Sequence, residues 1–294
     1  MNAKYLGKIL RRGGIAAALP FLLAAGCGGD DLAEPDTAEE IVVFAYLYVN
    51  EAVADSNAVY VGRNQDLLDV YDDGEAAVPD ATVLLLEEGA AEADTLWQVS
   101  PGRYNAPGVI VKPLTRYQLR VEIPGRATIT AATVTPAPFE VVDGPLVFPD
   151  EMKHDEVGDK YPITFTCGDP RQIFLVDVYC LEHWEDAEYV EAFGTDDYPN
   201  DYDEYGGDAG EPRHIAPFFR IEDLEGKNGD LYEIGWYGDM MVFYGRYDVN
   251  IYSIDDNYYN YLYREHPERS GGIDGGIGVF GSACRAGWTV KVVK

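Results

Sequence analysis

Positive charge is scarce in this sequence. Its 294 residues include 22 lysines and arginines against 52 aspartates and glutamates, which gives a formal net charge of -30. The first 26 residues carry four of the positive side chains and no acid, so the remainder has a net charge of -34. Proteins that bind nucleic acid hold its phosphates with clusters of lysine and arginine. The composition therefore excludes nucleic acid as a partner.

The motifs of common hydrolases are also missing. The sequence has neither the His-Glu-x-x-His zinc motif nor the Gly-x-Ser-x-Gly elbow, and its four histidines are scattered. An acidic segment around His183 offers metal-binding atoms, but adjacent residues of a strand or loop point in different directions. Paired carboxylates can perform acid and base catalysis, yet so many acids bring some pairs together by chance. We predict a non-catalytic protein without a cofactor; the alternative is a polysaccharide hydrolase whose carboxylates the sequence does not identify.

No apolar run is long enough to span a membrane. Residues 15–25 form a short apolar run after four positive residues, whereas a membrane helix needs about 20 apolar residues. This pattern predicts a secretory signal peptide over residues 1–26. The small residues before Cys27 resemble the bacterial lipobox, so Cys27 is the predicted lipidation site. Gly28 follows the cysteine, which is typical of sorting to the outer membrane; whether the protein faces the periplasm or the cell surface stays open.

Residues 27–40 are acidic and contain no aromatic side chain. Such a segment buries too little apolar surface to offset the entropy lost on ordering, so we predict a lipidated tether. The other cysteines are Cys167, Cys180 and Cys284, and an oxidising compartment favours one disulfide among them. If residues 172–180 form a strand, the Cα atoms of Cys167 and Cys180 lie too far apart for a disulfide. A bridge between these two cysteines would therefore require that strand to break. We therefore expect Cys284 to pair with one of the two.

The pattern from residue 41 onward is β. Residues 41–49 and 81–86 are apolar on both faces, whereas residues 116–123 alternate with a period of two and one polar face. Several short strands with turn signals over about 100 residues predict an immunoglobulin-like β-sandwich over residues 41–143. Residues 144–159 contain two prolines and mixed charges and are the predicted linker.

A second β-rich domain with one short helix is predicted over residues 160–294. Strands are expected over residues 172–180, with Cys180 facing a core, over residues 241–253, and over residues 288–293 at the end. Asp255 or Asp256 is suited to cap a helix that ends at Tyr263. The glycines between residues 271 and 281 favour a tight structural turn over a ligand cradle.

One acidic stretch, residues 194–210, interleaves acids with tyrosines and has no lysine or arginine. Its oxygen ligands suit calcium, although the spacing does not match an EF-hand. Three interpretations stay open: a calcium site, a tyrosine-based recognition loop for glycan or protein, and a solvated loop. The candidate residues are Tyr198, Tyr202 and Tyr205 for recognition and Asp196, Asp197, Asp201, Asp203 and Asp208 for the metal.

Two groups of motifs carry a family resemblance. The first group consists of Ala81-Thr82-Val83, Gly102-Arg103-Tyr104, Tyr117-Gln118-Leu119-Arg120-Val121 and the run from Ile129 to Pro136, and the second consists of residues 252–262 and 275–282. Both groups resemble a family of uncharacterised outer-membrane lipoproteins. The resemblance implies an N-terminal sandwich related to transthyretin and to carboxypeptidase regulatory domains. It also implies a gene neighbourhood that often contains TonB-dependent transporters. The acidic stretch and the three later cysteines depart from the family pattern.

Location and resemblance together predict a function. We expect a lipoprotein of the outer membrane that contacts the membrane through its anchor and serves as a binding or accessory subunit of an envelope complex. A TonB-dependent transporter or another envelope protein is the expected partner. The alternatives are an envelope polysaccharide hydrolase and a calcium-stabilised adhesin.

Overall fold

The alternating residues of the sequence form strands in the computed structural model. The structure describes residues 39–65, 73–143, 149–169, 171–182, 188–190, 214–224, 226–227 and 229–294. The predicted fold class is confirmed: the chain is mostly β, with one large curled sheet, a small second sheet and a few short helices. Residues Glu39–Lys294 form one compact unit.

The described residues form twenty strands. In chain order they are β1 Ile41–Tyr48, β2 Ala52–Val53, β3 Val59–Arg63, β4 Thr82–Glu87, β5 Asp94–Ser100, β6 Arg103–Ile110, β7 Arg116–Glu122, β8 Ile129–Val134, β9 Glu140–Asp143, β10 Glu151–Lys153, β11 Ile163–Thr166, β12 Ile173–Cys180, β13 Glu188–Tyr189, β14 His214–Ile215, β15 Phe218–Arg220, β16 Gly226–Lys227, β17 Leu231–Ile234, β18 Phe243–Ile254, β19 Ile273–Asp274 and β20 Ile277–Val293.

Helices are short and few in the described part of the chain. The α-helices are α1 Asp73–Ala76, α2 Asp256–Tyr263 and α3 Pro267–Ser270, and the 3-10 helices are Asp55–Asn57, His154–Glu156, Ile221–Asp223 and Trp236–Met240. Within the described ranges, no helix has the length and apolarity needed to cross a bilayer. The helix predicted to end at Tyr263 is confirmed as α2.

The large sheet runs in the order β14-β12-β18-β20-β1-β3-β6-β5-β4-β7-β8-β19, and β2, β10, β13 and β15 pair at its sides. The small sheet has the order β16-β17-β11-β9. Most pairs are antiparallel, but β20 lies parallel to both β1 and β10. Because β20 is bonded to β18 on one side and to β1 on the other, it joins the two halves of the chain into one sheet.

Two main hydrophobic cores lie against this sheet. The first collects the inward side chains of β1, β3, β4, β6, β7 and β8, so the curled sheet encloses it in a sandwich-like manner. The alternation predicted for β7 is confirmed: Tyr117, Leu119 and Val121 are buried, and Arg116 and Arg120 are exposed.

The second core lies among β11, β12, β18 and the end of β20. The inward face predicted for residues 172–180 is confirmed, since Phe174, Val176, Val178 and Cys180 are all buried there. Burying these side chains removes apolar surface from water, at about 25 cal/mol for each Å². The two cores therefore stabilise opposite halves of one continuous sheet.

The last strand is longer than the sequence pattern predicts. A strand was expected only over residues 288–293, but β20 begins at Ile277 and takes in Gly278 and Gly281. A Cβ at Gly281 would lie 3.0 Å from the Cβ of Tyr258 in α2. The glycines in this strand thus permit close packing of α2 and β1 against β20. The turn predicted over residues 271–281 is limited to the residues before β20.

Gly278 provides a test of this packing. Its φ is +116°, and a Cβ there would overlap the carbonyl oxygen of Val43 in β1. We expect Gly278→Ala to lower the free energy of unfolding by about 3 kcal/mol or more, because it adds both backbone strain and a steric clash. Urea unfolding followed by tryptophan fluorescence measures the change. Gly108→Ala in β6 is the control, since a Cβ there meets nothing within 4 Å; equal effects of the two substitutions would contradict the packing argument.

The predicted linker does not separate two domains in the part that the structure describes. Within residues 149–159, β10 pairs in parallel with β20, and its Met152 is completely buried in the second core. Lys291 of β20 also donates to Glu151 at 2.7 Å. The prolines and charges suggested a connector, but one apolar side chain and a strand edge are enough to hold this stretch against the sheet.

The expected disulfide is not formed. Within the described residues no disulfide joins Cys167, Cys180 and Cys284, all three of which are buried. Cys284 lies opposite Ser253 of β18, and Ser253 lies opposite Phe174 of β12. Cys180 is six residues farther along β12, roughly 20 Å at the rise of a strand, which exceeds the reach of a disulfide. Cys167 belongs to the second core and Cys284 to the first, and burial raises the pKa of both thiols.

Candidate functional site

The most distinctive side-chain arrangement in the described part of the chain is built on α2. Asp255 caps the helix, and its carboxylate accepts hydrogen bonds from the backbone N–H of Tyr258 and of Ser282, both at 3.0 Å. Thr133 of β8 also donates to this carboxylate. The side-chain amide of Asn257 donates to the carbonyl oxygens of Ala132 and Phe280. The first turn of α2 is therefore fixed to β8 and β20.

Burial raises the pKa of the Asp255 carboxyl from 3.8 to about 6, although the hydrogen bonds from Thr133, Ser282 and Tyr258 act in the opposite direction. The folded protein therefore binds this proton more tightly than the unfolded chain does. As the pH rises from about 4 to about 6, we expect this residue to lower the free energy of unfolding by up to about 3 kcal/mol, with no further change above.

Asp255→Asn is expected to remove this pH dependence. Its amide oxygen can accept from the same N–H groups, and its NH₂ can donate to Thr133. Urea unfolding of both proteins between pH 4 and pH 7.5 measures the difference. Asp94→Asn, at an exposed residue of β5, should leave the profile unchanged. Parallel profiles for the wild-type protein and Asp255→Asn would contradict the role given to this carboxyl.

The inner side of α2 packs on the outer face of the large sheet. The ring of Tyr258 lies 4.4 Å from that of Tyr46, and the ring of Tyr261 meets Phe44 edge-on at 5.7 Å. A small third core of Ile173, Ile254 and Ala283 lies beneath. Burial raises the pKa of Tyr46 and of Tyr258 well above the ordinary value of 10. These phenols stay neutral at physiological pH and act as packing and hydrogen-bonding groups.

The outer side of α2 forms a cluster that we call the aromatic patch: Phe218 of β15 with Tyr259, Leu262 and Tyr263 of α2. Ring centroids are 4.4 Å apart for Phe218 and Tyr263, 5.0 Å for Phe218 and Tyr259, and 5.3 Å for Tyr259 and Tyr263. Phe218, Leu262 and Tyr263 are exposed. The spacing of Tyr259, Leu262 and Tyr263 places all three on one side of the helix.

The aromatic patch is held rigidly. The hydroxyl of Tyr263 donates to the carbonyl oxygen of Ala216 at 2.8 Å, and the guanidinium of Arg220 lies 6.0 Å from the ring centre of Tyr259. The cap and the first turn fix the other end of α2. Rigid aromatic side chains lose little conformational entropy on binding, and they are enriched in recognition surfaces. Chemically, the patch is suited to contact another molecule and not to transfer protons.

Arg285, Glu51 and Tyr48 form a group that we call the polar border, on the same face of the sheet as α2. Arg285 pairs with Glu51 through two hydrogen bonds of 2.7 and 3.0 Å, and its guanidinium lies 4.5 Å from the ring centre of Tyr48. Burial raises the pKa of the neighbouring Tyr252 to about 12. The border thus combines neutral phenols with a satisfied ion pair.

A cavity of about 470 Å³ lies elsewhere, at the start of β1. Two carboxylates line it, as the hydrolase alternative would require, but each is held by an arginine. Glu39 pairs with Arg126, and Glu40 accepts two hydrogen bonds of 2.9 Å from Arg269. Both carboxylates are therefore engaged in ion pairs with arginines that line the same cavity.

Several sequence-predicted residues lie outside the described residues. These are the lipidation site Cys27, the recognition residues Tyr198, Tyr202 and Tyr205, and the calcium candidates Asp196, Asp197, Asp201, Asp203 and Asp208. His183 also lies outside, while the adjacent Glu182 pairs with Arg246 at 3.2 Å. Among the residues that are described, no group of three or more histidines, cysteines or acids is placed to hold a metal ion.

Comparison with family models identifies one family for this chain. A family model described as "Domain of unknown function (DUF4249)" matches residues 31–283. The matched range contains α2 and the whole aromatic patch. The comparison with curated proteins found no match.

Proposed function

The chain belongs to the DUF4249 family, and we propose that this protein is a non-catalytic lipoprotein of the outer membrane that acts as a binding subunit of an envelope complex. The observation that carries the binding role is the aromatic patch on α2 and β15. The anchor at Cys27 is inferred from the sequence that precedes it.

The location rests on three adjacent sequence features. A positive segment, a short apolar run and small residues precede Cys27, and an acidic segment follows it. Three acyl chains at the N-terminus would hold the protein firmly, since each buried CH₂ contributes about 0.8 kcal/mol. Anchoring by lipid would place a compact unit that begins at Glu39 close to the membrane surface.

The binding role rests on the chemistry of the patch. Exposed aromatic side chains that are locked by hydrogen bonds and ring contacts supply the centre of many interfaces, and a polar rim surrounds them. The net charge of -34 beyond residue 26 would repel an acidic partner and speed association with a basic one. We therefore infer a protein partner whose contact surface is apolar at its centre and basic at its rim.

A TonB-dependent transporter is the partner that the family resemblance suggests. An accessory lipoprotein of such a transporter would need a membrane anchor and a rigid contact surface, and no catalytic residues. Both the anchor and the patch meet this description.

Isolation of the protein from native membranes tests the proposal. The full-length chain, tagged at its C-terminus and purified in mild detergent, should retain one envelope protein in near-stoichiometric amount. The Cys27→Ala variant, expressed at the same level, is the control for contacts that form only after lysis. Recovery of the lipoprotein alone, from membranes where it is lipidated, would contradict the accessory role.

A further inference from the structure

A second candidate surface is the outer face of β4, β5, β6, β7 and β8, which we call the basic face. Three of its apolar side chains are exposed, Trp97 at 70%, Val99 at 59% and Val134 at 49%. The inward neighbours Leu96 and Thr133 are buried, so the strands are fixed while the apolar side chains point to solvent. Exposed apolar side chains that are grouped in this way mark a surface that contacts another molecule or a membrane.

Arginines lie among these apolar side chains. Val134 of β8 is directly opposite Arg116 of β7, and the half-buried Leu84 of β4 is directly opposite Arg120. Arg103, at the start of β6, faces the register shift near the end of β5. Directly opposed residues of a sheet have Cβ atoms about 5 Å apart, so apolar and cationic groups alternate at close range on this face.

The basic face has a local excess of positive charge in an acidic chain. Its outward charged side chains are Arg103, Arg116 and Arg120 against Glu122, which contacts Arg120. Among the described residues neither Arg103 nor Arg116 has an acidic partner, and Arg103 lies 5.8 Å from the ring centre of Tyr60. Charges farther apart than about 8 Å are largely screened at physiological ionic strength, so the local excess outweighs the distant acids. This face is therefore suited to an anionic surface.

The proposed anchor brings the basic face to such a surface. Glu39, where the compact unit begins, is 12 residues beyond Cys27, which limits their separation to about 40 Å. A unit held this close to a bilayer has a high effective concentration at its surface, so weak contacts are sufficient for docking. Tryptophan is enriched at membrane–water interfaces, and arginine binds phosphate through two parallel hydrogen bonds.

We propose that the basic face docks on the anionic phospholipid surface of the membrane that holds the anchor, with Trp97 among the headgroups and Arg103, Arg116 and Arg120 contacting lipid phosphates. This docking rests on the proposed anchor at Cys27 and deepens it, because it orients the compact unit on the bilayer. The sheet curls around the first core, and β5 and β4 lie three and four strands from β1, on which α2 packs. The basic face and the aromatic patch are therefore separate surfaces that can be occupied together.

Quenching of tryptophan fluorescence by brominated lipid tests the docking. The lipidated mature chain is reconstituted into vesicles of phosphatidylglycerol and dibrominated phosphatidylcholine, whose bromines quench only tryptophans close to the acyl chains. The signal of Trp97 is the difference between the wild-type protein and Trp97→Phe, because the other three tryptophans are present in both. We expect Trp97 to account for most of the quenching, and this signal to fall at least about twofold in vesicles of dibrominated phosphatidylcholine alone. Trp288→Phe, at a half-buried indole beside the second core, is the control and should leave the quenching unchanged.

Arginine variants separate the charge of this face from the charge of the whole chain. Arg103→Gln, Arg116→Gln and Arg120→Gln together should lower the quenching of Trp97 at least about fivefold, because each arginine near an anionic surface contributes to binding. The matched control has the same loss of charge at exposed arginines elsewhere: Arg171→Gln, Arg246→Gln and Arg264→Gln. Urea midpoints establish that both variants are folded. Equal quenching in the two variants, or equal quenching with and without phosphatidylglycerol, would overturn the docking.

The intact mass of the reconstituted protein distinguishes failure of the docking from failure of the anchor. Protein without acyl chains would contradict the anchor and the docking together. Lipidated protein whose Trp97 remains unquenched would overturn the docking alone and would leave the basic face to a protein partner.

Discussion

Cys27→Ala is expected to move the protein from the membrane fraction to the aqueous fraction. Without the thiol no diacylglycerol can be attached. Three acyl chains of ordinary length bury several dozen CH₂ groups, so their loss removes far more binding energy than any contact of the folded unit. We expect nearly all of the wild-type protein, and little of the variant, to sediment with outer membranes.

The measurement is fractionation in the native host, with the intact mass of the mature protein determined in parallel. Wild-type protein should begin at Cys27 and carry the mass of three acyl chains. Cys284→Ala is the matched control, since it removes another thiol without touching the anchor. An unmodified Cys27 in membrane-bound protein would contradict the lipoprotein assignment.

Replacing the rings of the aromatic patch is expected to abolish recovery of the envelope partner. Phe218→Ser, Tyr259→Ser and Tyr263→Ser together remove the three rings of the patch, and residues of this kind at an interface centre each contribute about 2 kcal/mol or more. Recovery from mild detergent should fall at least about tenfold. It should also fall with added salt for the wild-type protein, because a basic partner rim would face an acidic chain.

The control replaces exposed apolar residues elsewhere: Ile110→Ser, Leu114→Ser and Val142→Ser. This variant removes a similar amount of apolar surface and should leave recovery unchanged. Circular dichroism and a thermal melt establish that both variants are folded. Equal recovery from the two variants would contradict binding through the aromatic patch and would place the partner surface elsewhere.

Local features of the fold could be predicted from the sequence because short-range rules determine them. The alternation in β7 and β12 follows from the period of a strand, and the start of α2 follows from a capping aspartate with a good side-chain acceptor. The mostly β class follows from the same alternation. Each of these depends on residues within one element.

Features that depend on distant residues could not be predicted in this way. The first half of β20 is rich in glycine, which indicates a turn when only neighbours are considered; the helix and the strand that require Gly281 and Gly278 are visible only in three dimensions. The separation of Cys284 from Cys180 likewise depends on the register of β18 between them. Met152 could not be assigned to a core from a charged and proline-containing segment.

The candidate site was predictable only in part. The spacing of Tyr259, Leu262 and Tyr263 on a predicted helix indicates a shared face, and this signal was present in the sequence. Phe218 lies more than forty residues earlier, and its contact with Tyr263 required the pairing of β15 with β12.

Site-specific photo-crosslinking in living cells detects contacts of the aromatic patch before the membrane is dissolved, and it therefore tests binding through α2 without detergent. A photoreactive phenylalanine is placed at Leu262, the exposed aliphatic residue of the patch, and in a second strain at Val142 on β9. We expect one discrete crosslinked envelope protein from position 262 and none from position 142. No crosslink from position 262 in correctly lipidated protein, or the same products from both positions, would contradict the claim that α2 is the surface through which this lipoprotein joins an envelope complex.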